Sequence, residues 1–191
     1  MTVTIRAEGP ADVSPVHAVT ERAFRNAPHS DQREPFIVGA LRESGALTVS
    51  LVAEVRGDVI GHAAISPVTI PDSPPGWYGL GPVSVVPEHQ GRGIGSQLIK
   101  QALATVRSNG ALGCVVLGEP GYYGRFGFRV VSGLVYPGAP GEYFQALWFT
   151  GRLAQGEVSY HDAFSTAPGQ AFYDRYTGGP SDFIVYQLAI Q

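Results

Sequence analysis

The segment that most constrains this chain is Pro87-Glu-His-Gln-Gly-Arg-Gly-Ile-Gly-Ser, with glycine at 91, 93 and 95. Residues 78–86 before it are rich in glycine and β-branched side chains and read as a strand. After it, Ile94, Leu98, Ala102 and Val106 recur about one turn apart over residues 92–109, until Gly110 stops the helix. The loop therefore carries a strand into the N-terminus of an amphipathic helix, where the first backbone N–H groups lack intrahelical partners. Glycines allow close approach to that backbone, and the helix dipole adds roughly half a positive charge. Such a place binds anions, and a pyrophosphate is its natural guest.

The remaining elements fall on both sides of this loop. Val3 and Ile5 alternate with polar residues as a first strand until Gly9-Pro10 breaks it. Asp12 or Ser14 is placed to cap a helix that carries Val16, Val19, Ala23 and Phe24 as far as Arg25. A shorter helix fits residues 34–43 and ends at Gly45, and the intervening loop, 26–33, is polar. Residues 47–55 and 59–70 flank the turn Arg56-Gly57-Asp58, the pattern of an antiparallel hairpin. Residues 114–117 are fully apolar, as in a strand buried on both faces. Beyond Gly118 the aromatic stretch 120–128 has room for two helical turns at most, strands are expected at 129–136 and 144–153, and the apolar alternation at 183–190 predicts a tail packed against the body.

Composition excludes several classes of function. The 191 residues suit one domain, 1–191, and 44% hydrophobic residues suffice for a core. The net charge is −3 and the 13 basic residues form no run, which argues against nucleic acid. Cys114 is the single cysteine and sits in an apolar run, so it reads as a small buried hydrophobe without a disulfide partner. His17, His29, His62, His89 and His161 lack ligand spacing, so no metal is expected. No run approaches the ~18 apolar residues that would span a bilayer, and the first residues lack a signal peptide's basic start and apolar stretch, so no membrane partner and a cytoplasmic location are expected.

Three phosphate-binding readings compete for the loop. A nucleotide P-loop ends Gly-Lys-Ser/Thr, whereas this one ends Gly95-Ser96-Gln97. A dinucleotide fingerprint needs Gly-x-Gly-x-x-Gly; the glycine spacing fails it, but Glu119 stands near where a ribose-binding acid would be, which keeps a nucleotide-dependent oxidoreductase as an alternative. The third reading is Gln90-x-x-Gly93-x-Gly95 preceded by Val85-Val86-Pro87, which resembles the acyl-CoA signature of the GNAT superfamily of acetyl-CoA-dependent N-acetyltransferases. The element order matches that family, and Tyr123-x-x-x-Gly127-Phe128 resembles its tyrosine motif. The resemblance covers residues 1–137, and the extension 138–191 is similar to that of a bacterial subgroup with poorly defined substrates.

The resemblance implies an α/β fold: a strongly bent mixed sheet flanked by helices, with two central parallel strands, 78–86 and 113–117, splayed to admit acetyl-CoA as co-substrate. Backbone groups of Val85 and Val86 would pair with the pantetheine arm, and the amides of Gly91, Arg92, Gly93, Ile94, Gly95 and Ser96 would hold the pyrophosphate. Gln90 and Arg92 would flank the phosphates. Tyr123 would protonate the leaving thiolate, with Tyr122 beside it able to exchange roles. The implied reaction is direct acetyl transfer to an amine of a small molecule or peptide; a non-catalytic acyl-CoA sensor is the alternative within the same fold. The stretch Tyr78-Gly-Leu-Gly-Pro-Val-Ser carries no carboxylate to serve as base, which leaves Glu119 or a water relay open. His62, Trp77, Tyr78 and Trp148 are candidates for an acceptor pocket, although core packing is the commoner role of such residues. A homodimer through the tail is left open.

Overall fold

The hairpin at the centre of the chain sets the sheet. In the computed structural model, which describes residues 2–27 and 30–166, Arg56 (φ 54°) and Gly57 (φ 91°) make a two-residue left-handed turn. That geometry matches the twist of the strands it joins, β2 (Val49–Val55) and β3 (Asp58–Thr69). β1 (Thr4–Ala7) adds to β2, and β4 (Trp77–Val85) adds to the other side of β3, all antiparallel. Helix α3 (Ile94–Ser108) then crosses over to β5 (Gly113–Leu117), which lies parallel to β4, and β7 (Phe144–Trp148) closes the order β1-β2-β3-β4-β5-β7. The result is the mixed α/β sheet expected from the sequence.

The parallel pairing is brief. Trp77, Tyr78 and Gly79 pair with Gly113, Cys114 and Val115, and there it ends. From that point β4 follows β3, with Ala63 opposite Val83 and Gly61 opposite Val85, while Val116 and Leu117 follow Gln145 and Phe144 of β7. The two strands part into a gap, as the resemblance implied. A register shift between Ala63 and Ile65 falls opposite the stretch of β4 that leaves β5, and Pro82 within it has no N–H to offer a neighbouring strand.

Helices cover both faces. α3 lays Leu98, Ile99, Ala102 and Val106 on Leu51, Ala63, Ile65 and Val85, and fully burying each large aliphatic side chain contributes roughly 1.5–3 kcal/mol. Gly61 permits this approach, because a Cβ there would lie 3.1 Å from both Leu98 Cδ1 and the Ser84 carbonyl oxygen. The opposite face carries α1 (Val13–Phe24) and α2 (Glu34–Glu43), joined by β9 (Ser159–Tyr160), which pairs with β3, and α5 (Ala163–Thr166), whose Phe164 packs with Ile37 and Leu41.

Local signals failed where glycine or a distant partner intervened. The strand expected at 129–136 is a single bridge from Arg129 to Ala146 followed by β6 (Leu134–Val135), because Gly133 turns the chain at φ 85°; β6 pairs with β8 (Gly156–Glu157). The strand expected at 144–153 stops at Trp148, where Phe149 and Thr150 both donate to the Leu112 carbonyl and Gly151 turns at φ 76°. Asp12 does stand before α1 but does not cap it: its carboxylate accepts from Gly9 N at 2.7 Å and pairs with Arg6 at 2.6 Å. The alternation at 183–190 and His29 lie outside the described residues.

Candidate active site

The site begins where β4 leaves its neighbour. Val86 donates to the Ile60 carbonyl at 2.9 Å, which makes Gly61 and Val85 a non-hydrogen-bonded pair. Val85, and Val83 two residues earlier, therefore turn their backbone groups away from β3 and into the gap. The Val85 carbonyl accepts from Gln90 Nε2 at 2.9 Å, which braces the loop against the strand. Val86 contributes less than its neighbour to the gap, because its carbonyl is also taken, by His89 N at 2.9 Å.

A short turn, Pro87–His89, leads to Gly91 (φ 71°) and Gly93 (φ 76°), both left-handed. A Cβ at Gly93 would meet nothing within 4 Å, so this glycine supplies a dihedral and leaves open space above it. The helix expected from residue 92 starts at Ile94, and its first internal bond runs from Gln97 N to the Gly93 carbonyl at 3.1 Å. The amides of Ile94, Gly95 and Ser96 precede that bond and remain available. They face a cavity of about 310 Å³ lined by Val85, Gln90, Gly91, Gly93, Ile94, Gly95 and Ser96, together with His89, Tyr122 and Arg125. Arg92, expected beside the phosphates, is exposed on the rim of this loop and is not part of the lining.

The far wall comes from α4 (Pro120–Tyr123) and the 3-10 turn after it. Tyr122 places its hydroxyl 3.4 Å from Ser96 Oγ. Arg125 lies 4.1 Å over the Tyr122 ring and donates from Nε to the Tyr122 carbonyl at 3.1 Å. It is a fixed positive charge at the mouth of an amide cradle, and the sequence reading missed it. The available signal was its position within the Tyr123-to-Gly127 turn, but only the fold shows that this turn faces α3.

Tyr123 is 2% exposed, with its ring against Gly118, where any Cβ would collide with it, and edge-on to Phe128 at 5.8 Å. Burial pushes its phenol well above 10, and Tyr122, Tyr160 and Cys114 push the same way. Cys114 belongs to the face that α3 covers, whereas the Tyr160 ring lies over Gly79 on the other face. Burial keeps this phenol protonated at neutral pH; the cavity at the helix start is lined by its neighbour Tyr122 and not by Tyr123 itself.

The remaining candidates separate cleanly. Glu119 is exposed and caps α4, accepting from Gly121 N at 3.5 Å. His62 is wholly buried, with Nε2 2.8 Å from Ser50 Oγ, and burial pulls its pKa down, so it is neutral. Ser50 also donates to Glu8, which pairs with Arg42 at 2.7 Å. Burial alone would raise Glu8, but His62 at 3.6 Å, the Ser50 hydrogen bond and the Arg42 charge bring it down to about 2. This is a structural network between β1, β2, β3 and α2. Trp77 is buried over Gly113, Trp148 is 42% exposed, and neither lines the cavity. Burial raises the Cys114 thiol, in keeping with a packing role. Among the described residues no group of three or more His, Cys, Asp or Glu side chains is placed to hold a metal ion, and no helix is long and apolar enough to cross a membrane.

Known proteins share this arrangement. The model of the acetyltransferase (GNAT) family matches residues 16–128. The uncharacterized N-acetyltransferase YhbS of Escherichia coli K12 is 36% identical over 129 residues, 67% of this chain and 74% of that protein. A GNAT family acetyltransferase from Brucella melitensis, crystallised in complex with acetyl-CoA, is 51% identical with a TM-score of 0.77 over 85% of this chain and 98% of its own. Escherichia coli YhbS in complex with CoA superimposes with a TM-score of 0.78 at 32% identity, covering 86% and 92% of the two chains. With strands that part beside a glycine-rich helix start, and with the family match spanning that whole region, the chain belongs to the GNAT acetyltransferase family.

Proposed function

We propose that the protein transfers an acetyl group from acetyl-CoA to a primary amine by direct attack. The observation that carries this reading is the cavity of about 310 Å³ that joins the backbone edge at Val85, the free amides of Ile94, Gly95 and Ser96, and the Arg125 charge in one continuous surface. A pyrophosphate needs such amides and such a charge, and an extended arm needs such an edge. The relatives from Brucella melitensis and Escherichia coli, crystallised with acetyl-CoA and CoA, support the same choice of co-substrate. Residues 144–160 of the extension pack with the main sheet: β7 completes it and β9 adds to β3.

Bound acetyl-CoA supplies an activated acyl carbon and a thiolate leaving group. Ile94, Gly95 and Ser96 hold the pyrophosphate with N–H groups, with Gly91 and Gly93 shaping the loop and Arg125 balancing charge. Arg92 adds its backbone amide, and Gln90 acts by holding Val85. Val85 aligns the pantetheine in the gap, with Val86 fixing the strand behind it. Tyr123 gives its proton to the departing sulfur; burial keeps the phenol in its protonated form, and donation in the transition state is worth ~10²- to 10⁴-fold. With no carboxylate on residues 78–84 and Glu119 turned to α4, the amine proton leaves through water.

Calorimetric titration with CoA tests the site. Gly93→Asp puts a negative charge against the pyrophosphate, and CoA should bind at least about tenfold more weakly to the folded variant. Unchanged affinity removes the loop from the site. CoA binding without acetyl transfer to any amine would favour the acyl-CoA sensor.

A further inference from the structure

Arg33 is a buried cation that the cofactor site does not use. It is 1% exposed and stands at the N-cap position of α2, in a loop the sequence reading took as merely polar. Its Nε donates to Asp31 at 2.5 Å, but Nη1 and Nη2 are buried with no hydrogen-bond partner among the described residues. Buried donors are nearly always satisfied, and a charged fork left open costs far more than one that is filled. Four N–H bonds in one plane thus point at something the described residues do not supply.

The surroundings indicate what that is. Arg33 stands one turn before Ile37, whose backbone N donates to the Arg33 carbonyl at 2.9 Å and whose side chain packs with Tyr160 and Phe164; Tyr136 adjoins them. Its ring packs on Tyr160 at 5.0 Å, and Tyr160 lies over Gly79, where the parallel pairing of β4 and β5 ends. Ser66 stands across from Gly79, fully buried, with Oγ also lacking a partner. An aromatic wall therefore runs from α2 to the point where β4 and β5 part, with an unfilled fork at one end and an unfilled hydroxyl along it. Two carboxyls adjoin the fork. Asp31 already neutralises Nε, and Glu34, held by Ser30 Oγ at 2.8 and 2.9 Å, is pushed up to about 7 by burial. A dianionic phosphate would meet both, whereas a single carboxylate matches the two remaining nitrogens in shape and adds the least negative charge.

We propose that the acceptor is a small primary amine bearing a carboxylate, an amino acid or a compound of that shape, whose carboxylate forms a bidentate pair with Arg33. The inference rests on the transferase reading above. Because the fork is buried, the carboxylate reaching it belongs to a small molecule. Its amine, lying toward the gap, forms the N–C bond to the acetyl carbon; the C–S bond breaks with its electron pair going to sulfur. Tyr123 protonates that sulfur and recovers a proton from the amine through water.

The test is acetyl-CoA-dependent CoA release with the twenty free amino acids and, for those used, the decarboxylated amine of the same skeleton. The wild type should prefer at least one amino acid by roughly 100-fold in kcat/KM, since a site built for a polar group rejects the analogue lacking it. Arg33→Met should remove that preference by raising KM for the amino acid, leaving the decarboxylated amine and the calorimetric affinity for acetyl-CoA unchanged. Should Arg33→Met fail to fold, Arg33→Lys keeps the charge and loses the fork, and the preference should fall by about tenfold. Saturation-transfer NMR gives a second readout: N-acetylated amino acids should bind the CoA-loaded wild type and not the Arg33 variant. Equal use of amino acid and decarboxylated amine, equal loss of both in Arg33→Met, or no binding of any acetylated amino acid would overturn the proposal. Failure of CoA to bind the wild type would overturn the transferase reading instead, and the NMR experiment without CoA would then decide the Arg33 assignment by itself.

Discussion

On the α3 face of the sheet, Leu98, Ile99, Ala102 and Val106 meet Leu51, Ala63, Ile65 and Val85 without a buried charge among them. On the opposite face, α1 and α2 enclose Thr20, Arg33, Glu34, His62, Ser66 and Ser84, all below a tenth exposed. The first arrangement stabilises by apolar area, which is additive and indifferent to direction. The second holds polar groups that must each find a partner, and where the Arg33 Nη atoms and Ser66 Oγ have none among the described residues the fold gives up stability. A sheet with helices on both sides can thus keep one face for stability and the other for recognition.

Variants on each face sharpen the contrast. The largest effect belongs to the apolar face: Leu98→Ala, at 0% exposed, should cost about 2–5 kcal/mol in urea unfolding while CoA affinity of the remaining folded protein is retained. If its cost is below about 1 kcal/mol, α3 does not provide the main packing. Tyr123→Phe keeps the ring and its contacts and removes the proton donor. Turnover should fall ~100-fold with little change in stability or CoA affinity. Full turnover, measured where chemistry limits the rate, would release Tyr123 from its role; loss in Tyr122→Phe instead would move that role one residue back.

The polar face should show itself through pH. Glu34 rises from 4.5 to about 7 on folding, chiefly through burial. Its contribution is complete below pH 4.5, where both states are protonated, and is lost as pH rises toward 7, because the unfolded chain releases its proton first. Wild-type stability should therefore drop on this account by about 2–3 kcal/mol between pH 5 and 8, and Glu34→Gln should flatten that slope. Identical pH profiles for the two proteins would mean that Glu34 is solvated and that this face is less closed than its packing indicates.

Periodicity and glycine punctuation made the sheet and helix order legible, including α2 (Glu34–Glu43), the β2–β3 hairpin and the loop from Gln90 to Ser96. Each of these depends on contacts a few residues apart: alternation in strands, a helical repeat, or a left-handed dihedral that glycine adopts readily. Residues 129–136 escaped the same reasoning, because apolar alternation there was overruled by the turn at Gly133 and by a partner strand at Gly156. The site divided in the same manner. Its amide cradle could be read from spacing, since backbone groups at a helix start follow from local geometry alone. Which charge completes the cradle could not, because Arg125 joins Ser96 in lining one cavity only when the turn after α4 folds back toward α3. Nor could the burial of Arg33, at the start of a helix that is packed by Tyr160, Ala163 and Phe164 from more than a hundred residues downstream. Local dihedral preference and periodicity are written in neighbouring residues, whereas the environment of a charge is set by every segment that packs around it, and that only the tertiary structure decided.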